Sequence, residues 1–117
     1  MARFLMVLQP REPMAPAALV DALAPVLQRI EAQIDHRTPA HLSALLRGGL
    51  EQLRMQLFAD VQAKAHGPVL EITLMSQEPM GKGAPQTRAV FDQILLEVSG
   101  LAPLQLVFRS DRDGALP

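Results

Sequence analysis

The chain of 117 residues has no cysteine, no tryptophan and no tyrosine, and its only aromatic side chains besides histidine are four phenylalanines. Without cysteine there is no disulfide framework, no thiolate nucleophile and no cysteine-based zinc site. Phe4, Phe58, Phe91 and Phe108 all fall within apolar patterns, whereas a base-stacking platform needs exposed aromatics. Asparagine is missing as well, lysine is scarce, and arginine, alanine, leucine and proline are common. That usage points to a GC-rich bacterial genome.

Other absences narrow the function classes. The formal net charge is −1, from 11 basic and 12 acidic residues spread along the chain. No basic block can grip a phosphate backbone, which disfavours nucleic acid as a partner. No segment reaches the ~18 continuous apolar residues of a membrane span. The apolar run Phe4–Leu8 is shorter than the hydrophobic region of a signal peptide, and Gln9, Pro10 and Arg11 end it. It reads as a strand, and the expected compartment is the cytoplasm.

What is present is a globular composition, 49% hydrophobic and 20% charged, of single-domain size. One α+β domain over 1–110 is expected, with 111–117 as a frayed tail. The hydrophobic patterns suggest the order β-α-α-β-α-β. Residues 3–9 form an opening strand that is apolar on both faces, which suits a central position. Leu19, Leu23, Val26, Leu27, Ile30 and Ile34 make a helical stripe over about 16–35, with Pro25 expected to kink or break it near Ala24. Thr38 and Pro39 look like an N-cap and first position of a second helix, about 39–65, carrying Leu42, Leu45, Leu46, Leu50, Leu53, Leu57, Phe58 and Val61. Gly48-Gly49 interrupts that stripe as a bend or a close crossing, and Gly67-Pro68 ends it. A strand at 69–75, a helix at about 85–99 with core face Val90, Phe91, Ile94, Leu95 and Val98, and a strand at 104–109 complete the chain. The expected architecture is a mixed three-stranded sheet, order 2-1-3 with 1-2-3 as the alternative, packed with a long helical hairpin and one right-handed crossover helix. The hairpin would overhang the sheet and need cover, which predicts a homodimer.

The strand–loop–helix segment Gln77–Arg88 is the first candidate site. Gly81 and Gly83 permit close backbone approach, Lys82 and Arg88 supply charge, and the helix N-terminus offers free N–H groups to an anion. The spacing is not that of a phosphate-binding P-loop, because no Ser or Thr follows Lys82. The topology would bring the turn Asp35–His41 to the same end, so that His36, Arg37, His41, Lys82 and Arg88 face one crevice. The His36–His41 spacing is not the i, i+4 spacing of a helical metal site, and no metal or cofactor is expected. Ser76, His41 and Glu78 could be drawn as a hydrolytic triad, yet no nucleophile-elbow motif surrounds Ser76. Glu71 and Glu78 give no spacing that marks a glycosidase pair. The sequence therefore favours a non-enzymatic interaction, adaptor or regulatory module working through dimerisation and an apolar helical hairpin. The hairpin is also a candidate surface for a protein partner. The alternative is a small-anion or phosphate-ligand binder, with or without enzymatic activity, sited at Gln77–Arg88.

Overall fold

Strict alternation dominates the middle of the chain: Leu42, Ala44 and Leu46, then Met55, Leu57 and Ala59, then Leu70, Ile72 and Leu74 are buried, with wetter residues between most of them. That period of two is a sheet's, not a helix's. A computed structural model describes residues 1–110; the expected tail, 111–117, lies outside the described residues. The elements are β1 (Ala2–Pro10), α1 (Pro16–Asp21), α2 (Ala24–Arg29), β2 (Gln33–Thr38), β3 (His41–Gly48), β4 (Leu53–Lys64), β5 (Gly67–Ser76), α3 (Pro85–Ser99) and β6 (Leu104–Ser110), with a 3₁₀ turn at Met80–Lys82. The strands form one six-stranded sheet in the order β2-β3-β4-β5-β1-β6, and every neighbouring pair is antiparallel.

This overturns the expected fold class. There is no long helical hairpin, and the sheet is neither three-stranded nor mixed between neighbours. The expected second helix is the hairpin β3–β4, and the end of the expected first helix is the edge strand β2. Thr38 and Pro39 belong to the β2–β3 turn rather than a helix start, and Gly49, at φ 78°, belongs to the β3–β4 turn. Gly67 closes a hairpin with Lys64. The first helical stripe survives only as α1 and α2, broken between Asp21 and Ala24, with Pro25 tolerated in the first turn of α2. The last part of the chain does form a strand, a helix and a strand, with β1 lying between β5 and β6.

All three helices lie on one face of the sheet. On that face β1 contributes Phe4, Met6 and Leu8, which meet Leu74, Ile72 and Leu70 of β5 in register. Phe91 of α3 stacks on Phe4 with ring centroids 5.2 Å apart. Leu19, Val20, Val26 and Leu27 from α1 and α2, and Val90, Ile94 and Val98 from α3, complete a single buried core. Gly48 lies so close to α3 that a Cβ there would sit 2.4 Å from Val90 Cγ2. The opposite face is covered by no element among the described residues.

Candidate functional site

The N-terminus of α3 is already occupied. The Glu78 carboxylate accepts hydrogen bonds from Gln86 N–H (3.1 Å), Thr87 N–H (2.7 Å) and the Thr87 hydroxyl (2.6 Å). These amides belong to the first turn, where orphan donors and the helix dipole favour a negative charge. Ser76 completes a closed ring: Glu78 N–H donates to Ser76 Oγ (3.0 Å), and Ser76 Oγ lies 2.6 Å from Thr87 Oγ1. Because the Thr87 proton goes to the carboxylate, the Ser76 proton goes to Thr87. Burial alone would raise the Glu78 carboxyl; the hydrogen bonds from Thr87 and Gln86 outweigh it and hold the carboxyl below its usual range. The chain thus supplies its own anion at the place where a phosphate was expected. Lys82, Gly81, Gly83 and Arg88 are exposed around this cap. Ala84, the N-cap, adopts the left-handed region at φ 46°, which turns the chain sharply into Pro85.

The residues expected in one crevice are not brought together. The β2–β3 turn lies at the end of the sheet opposite the Gln77–Ala84 loop. His41 shares a cross-strand row with Asp60 and Glu71, and Ser76 lies five residues further along β5, about 17 Å away at the usual strand rise. Arg37 faces the helices and pairs with Asp21 of α1. His36 and His41 do meet, with ring centroids 5.7 Å apart, on the uncovered face. His41 Nδ1 lies 2.5 Å from Asp60 Oδ1, so Ser76, His41 and Glu78 form no triad. Among the described residues, no three His, Asp or Glu side chains converge to hold a metal ion, and no helix is long and apolar enough to cross a membrane.

The feature that sequence reasoning missed is the uncovered face itself. Once the strands are paired, Leu45, Phe58, Val69, Met75, Leu5, Val7 and Phe108 fall on it, all half-buried. Its centre is the row Ser43–Phe58–Thr73–Leu5. Charges sit in rows on either side. Arg47 and Arg54 are direct cross-strand partners toward one end, and Asp60 and Glu71 toward the other. Like charges directly opposite each other in a sheet are unfavourable. Asp60 of the acidic pair hydrogen-bonds His41; Glu71 and Arg54 have no ion pair among the described residues. A shallow groove of about 340 Å³, lined by Asp35, Leu45, Arg54, Gln56, Met75 and Gln77, opens at the basic end. The alternation signal for this face lay in 53–61, where Arg54, Gln56, Phe58 and Asp60 alternate with Met55, Leu57 and Ala59. The sequence matches no protein-family model, and no characterised protein shows significant similarity to it.

Proposed function

We propose that this chain is a bacterial cytoplasmic protein of non-enzymatic type, an interaction or regulatory module whose working surface is the uncovered face of the sheet. One observation carries the reading: a face rich in half-buried apolar side chains has no cover among the described residues, while the other face is sealed by three helices. An exposed apolar patch of this kind marks a contact surface. Of its histidines and carboxylates, His41 and Asp60 hydrogen-bond each other and Asp35 accepts from the Ser43 hydroxyl. The Gln77–Arg88 segment supports an external anion poorly, since Glu78 already takes the amides of Gln86 and Thr87.

The test is the mass of the chain in native extract of cells that produce it. Wild type is expected well above the 12.8 kDa of one chain, and Phe58→Glu is expected at 12.8 kDa with an unchanged circular dichroism spectrum. Wild type running as a single chain in fresh extract would defeat the reading.

A further inference from the structure

We infer that the occupant of the uncovered face is a second copy of this chain, packed face to face with its strands running opposite to those of the first. This rests on the contact-surface reading above and adds the partner and the geometry. The argument starts from the two like-charge pairs. Arg47–Arg54, across β3–β4, and Asp60–Glu71, across β4–β5, lie on the same face and share β4, at opposite ends of it. The midpoint between Arg54 and Asp60 along β4 is Leu57, so the apolar residues Phe58, Leu5 and Met75 lie around the middle.

A two-fold axis between facing sheets lies in the plane of the interface. If it ran along the strands, each row would meet its own copy, setting Asp60 and Glu71 against a second Asp60 and Glu71, and the arginines against arginines. If it crosses the strands near Leu57, each strand lies over its own copy and the basic row of each copy stands over the acidic row of the other, with Arg54 over Asp60, twice by symmetry. Both charge conflicts within the chain are then relieved by the partner, and Phe58 and Leu5 pack at the centre. Aligned sheets cross at about 30°, which moves the charged rows sideways by about one strand, the same offset as that between the β3–β4 and β4–β5 pairs; a crossing that carries β4 over the β5 of the other copy sets Arg54 over Glu71 and Arg47 over Asp60.

Size fits the same occupant. Six strands about 4.8 Å apart and about eight residues long give roughly 750 Å² in plan, close to the about 800 Å² that each partner contributes to an ordinary stable interface. The sheet edges offer a poorer contact. The pairing of edge strand β2 slips between Ile34 and His36, and that of β6 slips opposite Val7 and Leu8. Such irregularities blunt an edge against strand addition.

The experiment is sedimentation equilibrium of the purified full chain from 1 to 100 µM, on wild type, Arg54→Glu, Glu71→Arg, the double variant and Ile34→Lys. Wild type is expected at twice 12.8 kDa. Each single charge reversal is expected to raise the dissociation constant at least tenfold; the double variant returns it to within about threefold of wild type, and Ile34→Lys leaves it unchanged. Thermal unfolding of each variant checks that the fold is kept. A wild-type monomer at 100 µM overturns the self-pairing, as does a dimer indifferent to both reversals or one not restored by the double variant. If the purified chain is monomeric while the native extract still shows a larger complex, the contact-surface reading stands and the self-pairing fails.

Discussion

Replacing Glu78 removes the acceptor for two first-turn amides and one buried hydroxyl at once. Loss of a helix cap costs about 0.5–2 kcal/mol, and a hydrogen bond to a charged group contributes about 1.5–3 kcal/mol. These overlap, because the same carboxylate makes all three bonds. Thr87 is fully buried, so its hydroxyl finds no water in exchange. Glu78→Ala is therefore expected to cost about 2–4 kcal/mol, and Glu78→Gln, which keeps one oxygen and loses the charge, about 1–2 kcal/mol. At about 4 °C per kcal/mol for a domain of this size, the Ala variant should melt about 8–16 °C lower. Far-UV circular dichroism is the suitable probe, since the chain has no tryptophan or tyrosine to follow by fluorescence.

The pH dependence gives the sharper test. The folded-state carboxyl is held below its ordinary value of 4.5. A group depressed in this way contributes stability that is fully present above the unfolded value and lost as pH falls through the folded one. The gap in melting temperature between wild type and Glu78→Gln should be widest near pH 6–7 and close progressively below pH 4.5. A Gln variant that melts within about 1 °C of wild type at pH 7, or a gap as large at pH 3.5 as at pH 7, would refute the idea of an ionised cap.

Other substitutions test the packing. Gly48→Ala puts a methyl 2.4 Å from Val90 Cγ2; denaturant unfolding should show a loss of about 1–3 kcal/mol, partly recovered when Val90→Ala is added. Phe91→Ala removes the ring stacked on Phe4 and should cost about 3–5 kcal/mol by the same assay. Arg37→Ala breaks the exposed pair with Asp21 and should change stability by less than about 1 kcal/mol, with the difference shrinking further in 0.5 M salt.

The sequence was legible where local preference and tertiary need agreed. The segment Pro85–Ser99 has a helical stripe, a proline in its first turn and good helix formers, and it folds as α3 with that stripe buried. The segment 41–60 misled because the two disagree. It contains no valine, isoleucine or threonine, and most of it is leucine, alanine, arginine, glutamine, glutamate and methionine, which are among the strongest helix formers. Its leucines also fit a 3.6-residue stripe. What decides its state is non-local: Leu57 and Ala59 of β4 pair with Leu74 and Ile72 of β5, a strand whose branched residues no helix would favour. Strand preference measures fit to neighbours more than backbone taste, and those neighbours lie outside any short window. The cap at the start of α3 was illegible for the same reason. Glu78 reads as one polar residue in a Pro/Gly loop until the chain turns at Ala84 and aims the first amides of α3 at it.

The two faces of the sheet differ in how well the sequence agrees with the structure it makes. On the helix side, small residues meet large ones, as where Ala44 and Ala59 flank Leu57, and no buried polar side-chain atom among the described residues lacks a partner. On the open side the same strands carry two like-charge cross-strand pairs and a band of half-buried apolar side chains. A sequence under selection for folding alone has no reason to keep such conflicts, because each is removable by one surface substitution. Under the proposed self-pairing, their confinement to one face, with opposite signs at opposite ends, would turn the chain's disagreements with itself into agreements with a second copy pressed against that face.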